Sequence, residues 1–129
     1  MVRMETEDRQ DAIVVARPGD AAIQAASSTL EKAGFAVHLA ADGNTALGLA
    51  RQLAGPPALA VVDEAATDVP VAGLVEGLRE RSPGIRILVL SDKARKDSSG
   101  IRVLRKPFRR SALLGQVLDL MERPKVLTA

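Results

Sequence analysis

Five short apolar runs, each parted from the next by a polar or helix-spaced stretch, constrain this chain more than any other feature. They cover 12–15, 36–39, 58–62, 85–90 and 101–104. Each is near strand length. Several are apolar without alternation, as strands covered on both faces are. His38 and Arg86 interrupt two of the runs, which places those two strands nearer a sheet edge.

The intervening segments carry helical spacing. Asp20 can cap a helix that presents Ile23, Ala26, Leu30 and Ala33, and Gly34 stops it. A second helix over 44–53 carries Ala46, Leu49, Ala50 and Leu53, then meets Gly55-Pro56-Pro57. Val71, Leu74, Val75 and Leu78 form an i, i+3, i+4, i+7 stripe that Ser82-Pro83-Gly84 closes. Leu113, Leu114, Val117, Leu118 and Met121 form the last helix. The stretch 91–100 offers only Ala94 to bury, so it cannot show an apolar helical face and reads as a loop or one exposed turn.

Alternating strands and helices predict a doubly wound parallel sheet with right-handed crossovers. Ligands of such sheets sit outside the carboxyl ends of the strands. Asp63, Ser91 and Lys106 all fall at or just beyond such ends. A carboxylate, a hydroxyl and an ammonium converging there suit phosphoryl chemistry.

Bulk properties narrow the partners. The chain has 129 residues, which suits one domain with one core, and 47% of them are hydrophobic. Net charge is +2 with interleaved signs, and there is no Tyr or Trp. Neither an electrostatic nor a stacking case for nucleic acid follows. The basic residues Arg105, Lys106, Arg109 and Arg110 read as a solvated edge. With no Cys and one His, thiolate and multi-histidine metal sites are excluded. His38 reads as a partly buried strand histidine. No stretch is long enough to span a bilayer, and the start of the chain has no signal-peptide core, so a soluble cytoplasmic protein is expected. Residues 1–10 read as a flexible leader, 11–122 as the domain and 123–129 as a flexible tail beginning near Pro124.

In order, these pieces resemble a bacterial response-regulator receiver domain of the CheY-like family, over about residues 12–121. The segments Leu30-Glu31-Lys32-Ala33-Gly34-Phe35 and Ala40-Ala41-Asp42-Gly43-Asn44-Thr45-Ala46-Leu47 carry much of it. Val61-Val62-Asp63, Ile87-Leu88-Val89-Leu90-Ser91 and Lys106-Pro107-Phe108 supply the rest. The resemblance implies a five-stranded sheet of order 2-1-3-4-5. It implies that Asp63 is the phosphoacceptor position, that Ser91 bonds a phosphoryl oxygen, and that Lys106 pairs with the same group. It also implies a cis peptide between Lys106 and Pro107, which a tertiary amide permits.

The family also uses an acidic pair after the first strand. With the acceptor and the backbone carbonyl at the Ala65 position, that pair holds Mg²⁺. The matching residues here are Ala16 and Arg17. Ala16 offers no oxygen ligand and Arg17 brings positive charge, whereas Mg²⁺ wants an octahedral oxygen shell. Arg17 is therefore expected to act as a guanidinium clamp for phosphate, to pair with Asp63, or to stand as a solvated loop arginine. Two further departures are Val103 where an aromatic switch residue often stands, and a fourth helix shortened or missing, since Ser91 and Lys106 lie only 15 positions apart.

The leading expectation is a degenerate receiver: not an enzyme, without a cofactor, with Mg²⁺ doubtful. It would act as an interaction module for a protein partner such as a sensor histidine kinase or a downstream signalling protein, with no nucleic-acid or membrane role. A working receiver phosphorylated on Asp63 is one alternative. A flavodoxin-like small-molecule-binding domain is another, although Arg17-Pro18-Gly19-Asp20 lacks the Gly-x-Gly-x-x-Gly pattern of dinucleotide sites.

Overall fold

The computed structural model describes residues 10–94, 96–98 and 100–122. Residues 1–9 and 123–129 lie outside the described residues, and with them the expected tail and all of the expected leader but Gln10, which opens the first strand. Along the chain run β1 (Gln10–Val15), α1 (Ala21–Lys32), β2 (Phe35–Ala40), α2 (Gly43–Gln52), β3 (Leu59–Asp63), a 3₁₀ turn (Glu64–Ala66), α3 (Val71–Arg81), β4 (Arg86–Ser91), β5 (Ile101–Arg105) and α4 (Arg110–Glu122). The strands form one parallel sheet in the order β2-β1-β3-β4-β5. This is the expected doubly wound CheY-like architecture.

β1 begins at Gln10, ahead of its apolar run, because pairing with Phe35 and Ala36 uses backbone groups only. Asp20 caps α1 as expected, and Asp42 caps α2. The Asp20 carboxylate accepts from the Ala22 and Ile23 N–H groups, and that of Asp42 accepts from the Thr45 N–H. Gly34, with φ of 106°, ends α1 in a left-handed conformation that other residues rarely adopt.

The sheet separates two cores. One packs Val14, Val61, Leu88 and Leu90 against Ile23, Leu30, Leu113 and Val117 of α1 and α4. The other packs Ile13, Val15, Val62, Ile87 and Val89 against Ala46, Ala50, Leu74 and Leu78 of α2 and α3. The central strands are buried on both faces, which is why their runs show no alternation.

His38 lies on the edge strand β2, as expected, and its Nε2 meets Asp11 Oδ1 at 2.9 Å. Arg86 corrects its expectation. β4 is interior, between β3 and β5. Arg86 is its first residue, so its guanidinium leaves the sheet at the lower rim and donates to the Leu120 carbonyl at 3.0 Å and the Gly84 carbonyl at 3.2 Å. A charge at the mouth of a strand needs no sheet edge.

No helix forms between β4 and β5 among the described residues. Ser98 and Ile101 make one antiparallel bridge there instead. The lack of an apolar stripe in 91–100 had this consequence. No helix among the described residues is long and apolar enough to cross a membrane.

Candidate functional site

The parallel register brings three predicted residues to one end of the sheet. Asp63 closes β3 and pairs in register with Leu90, so Ser91 follows one step on. Ser91 is in register with Arg105, and the Lys106 N–H donates to the Ser91 carbonyl at 2.8 Å. Asp63 and Ser91 are 2% and 1% exposed, so neither is an incidental surface group. The Lys106–Pro107 peptide is cis.

Lys106 Nζ donates to Asp63 Oδ1 at 2.7 Å. The same oxygen accepts from the Ala65 N–H at 3.0 Å, capping the 3₁₀ turn. Both bonds fall on Oδ1; among the described residues Oδ2 accepts none. A carboxylate so buried is held by its ammonium partner and the turn amide, as burial of a charge demands.

Ser91 is engaged from a direction that the sequence reading missed. Its Oγ donates to Glu64 Oε1 at 2.6 Å and accepts from the Lys93 N–H at 3.0 Å. Glu64 follows Asp63 directly, and the 3₁₀ turn swings it from the strand direction over the neighbouring strand's end. A second carboxylate beside a strand-end Asp was the signal. Only the turn geometry shows that it aims at Ser91.

Arg17 also reaches this end of the sheet, but not as expected. Its Nη2 donates to the Ala65 carbonyl at 3.1 Å, while the ion pair of Asp63 is with Lys106. Arg17 is exposed, so its guanidinium satisfies a turn carbonyl at the solvent edge without entering the buried part of the pocket. Ala16, 7% exposed, continues the backbone ladder to the Ala40 carbonyl and adds a methyl group. Thus the carbonyl at the Ala65 position carries a cation's N–H, and the two residues after β1 offer no oxygen from their side chains. Among the described residues no group of three His, Cys, Asp or Glu side chains could hold a metal.

The loop leaving the site is tied down by Asp68, another residue whose role was not read from sequence. Its carboxylate accepts from the Gly43 and Asn44 N–H groups at 2.9 and 3.2 Å and from Asn44 Nδ2 at 2.9 Å, at the start of α2. Desolvation raises the Asp68 pKa, but hydrogen bonds from the Asn44 backbone, its own amide, the Asn44 side chain and the Gly43 backbone outweigh it, leaving the carboxyl below its ordinary range. Gly43 is required for the approach: a Cβ there would meet Thr67 Oγ1 at 2.5 Å and Val69 Cγ2 at 2.8 Å.

No family model matches the chain, and no curated protein sequence matches it. Solved structures do. The receiver domain of the hybrid histidine kinase CckA superposes with a TM-score of 0.74 at 24% identity, covering 87% of this chain and 99% of that one. The chemotaxis response regulator CheY4 of Vibrio cholerae gives 0.73 at 22% identity, covering 87% and 98%. A response regulator from Thermotoga maritima gives 0.69 at 25% identity, covering 89% and 99%. These three structural neighbours are response-regulator receiver proteins or domains, and the chain shares their fold across almost their whole length.

Proposed function

We propose that this domain is a receiver of two-component or phosphorelay signalling whose pocket is satisfied by its own side chains. It works as a protein-interaction module, without Mg²⁺-assisted phosphoryl transfer to Asp63. One observation carries this reading: the Arg17 guanidinium on the Ala65 carbonyl, where the receiver resemblance would put the metal. Mg²⁺ needs hard oxygen donors, and a carbonyl already facing a guanidinium is a poor one. The residues present do not fit the metal.

The remaining contacts support the same reading. Lys106 neutralises Asp63, and Glu64 occupies the Ser91 hydroxyl. Asp63 and Glu64 stand against Lys106 and Arg17, so the pocket balances its charges without an ion. Phosphoryl transfer depends mostly on positioning and on neutralising the phosphoryl oxygens. A phosphoryl group entering here would have to displace Glu64 and would add its charge beside two carboxylates. The partner, by the same reading, is a protein such as a sensor histidine kinase or a downstream signalling component. The module is not itself an enzyme.

One observation favours a working receiver instead: Asp63 Oδ2 accepts no hydrogen bond among the described residues and is the oxygen a phosphodonor would need. A single experiment separates the two. The protein is incubated with acetyl phosphate and Mg²⁺, and its intact mass is followed. No added phosphate is expected. A phosphoryl adduct that disappears in Asp63→Ala establishes the working receiver.

A further inference from the structure

The sheet face above β4 and β5 carries a cavity of about 790 Å³ that the missing helix leaves open. Its apolar floor is Val71 and Val75 of α3 with Val89, Ile101 and Val103 of the strands. A doubly wound sheet buries such a face under the crossover helix that joins its strands. Here the crossover has none among the described residues, and Ile101 and Val103 stay partly open.

We infer that this groove takes an amphipathic helix from a partner protein, laid where the crossover helix would otherwise sit. The dimensions suit it. The groove follows β5, whose five residues span about 16 Å at roughly 3.3 Å each. That is the length of a helix of about 11 residues at ~1.5 Å rise.

Of the charged residues lining the groove, Glu64, Glu76, Arg79 and Lys96, the first and third mark its two ends and favour one direction. Glu64 stands at the end of the groove near the strand carboxyl termini. Arg79 stands at the other end, where its Nη2 lies 2.9 Å from the place a Cβ on Gly100 would occupy. A helix running antiparallel to the strands, as α3 does, puts its positive N-terminus by Glu64 and its negative C-terminus by Arg79. Both termini then meet complementary charge, and the reverse orientation meets like charge at both. An apolar helical face supplies the affinity, as in other helix-in-groove complexes. The inference rests on the fold and this groove, and stands whether or not Asp63 accepts a phosphoryl group.

The test is a selection of displayed 12-residue helical peptides, with Leu, Ile, Val, Phe and Met randomised at i, i+3, i+4 and i+7, against the full chain. Selected peptides are expected to bind as helices. They should lose about tenfold or more in affinity against Ala72→Arg, which puts bulk and charge on the exposed groove rim. Glu76→Arg, on the same rim, serves as the second groove variant. Leu118→Arg, on an exposed position of α4, should leave binding unchanged. Circular dichroism of each variant verifies folding. A selection without binders, or binders indifferent to both rim variants, overturns the inference. So does binding that appears only after residues 1–9 or 123–129 are removed, or only on dilution of a dimer, since the occupant is then the chain itself or a second copy.

Discussion

The two halves of the strand-end pocket differ in what supplies the charge. In the half built by β3, β4 and β5, a buried carboxylate meets a lysine from the next strand but one, and its charge is answered side chain to side chain. In the half built by β1, a methyl group and an exposed arginine follow the strand, and the contact is side chain to backbone. The first half is structurally demanding, because Asp63 cannot be left alone at 3% side-chain exposure. The second is not, because an exposed guanidinium can be lost to water. The two halves therefore differ in what the fold demands of them: burial of Asp63 requires a partner for its charge, and exposure of Arg17 requires none.

Replacing Lys106 by Met breaks the demanding half and should have the largest effect. Asp63 would keep its turn amide but lose its counter-ion, and stability should fall by about 2–3 kcal/mol. That is below the ~3–5 kcal/mol for fully buried pairs, because the Lys106 side chain is 30% exposed. Urea denaturation measures it. An unchanged midpoint would mean that the pair is not what holds Asp63. Adding Asp63→Leu to the same variant should recover much of the loss, since both charges are then gone.

Next in size is conversion of the other half. Ala16→Asp with Arg17→Asp removes the guanidinium from the Ala65 carbonyl and puts carboxylates beside Asp63. Divalent binding should appear, and Mg²⁺ at ten times its dissociation constant should then raise stability by about 1.4 kcal/mol. The wild type should show no such gain. Calorimetry without binding heat in the double variant would show that β1 does not aim these positions at the pocket.

The smallest effect belongs to the loop that frames both halves. The Asp68 pKa is lowered in the folded chain, so its contribution is present above the ordinary carboxylate value of 3.8 and is lost as pH falls through the folded value. The stability difference between wild type and Asp68→Asn should thus be visible at neutral pH and shrink in acid below about pH 4. A difference that grew on acidification would reverse the assigned sign.

Much of this was legible before any coordinates. Apolar runs without alternation at 58–62 and 87–90 predict doubly covered strands, and those strands are the buried centre of the sheet. The polarity of 91–100 predicts the missing helix. Asp63, Ser91 and Lys106 each follow such a run, so the sheet had to bring them to one end. Arg86 misled because a charge in an apolar run signals an edge in projection, whereas a residue at the strand's mouth can turn its long side chain out at the rim. Arg17 misled because opposite charges suggest a pair, and only the structure shows that Lys106, not Arg17, pairs with Asp63.

The sequence by itself determined the layers, the strand-end trio and the absence of carboxylates at the two positions directly after β1, because periodicity and residue type are local properties. Tertiary structure alone decided that Glu64 takes the Ser91 hydroxyl, that Arg17 caps the Ala65 carbonyl rather than Asp63, and that an apolar groove lies open over β4 and β5. Each of these depends on the direction of a side chain or the place of a turn across strands far apart in the chain. Such directions are set by packing and register, not by the order of residues along any one segment.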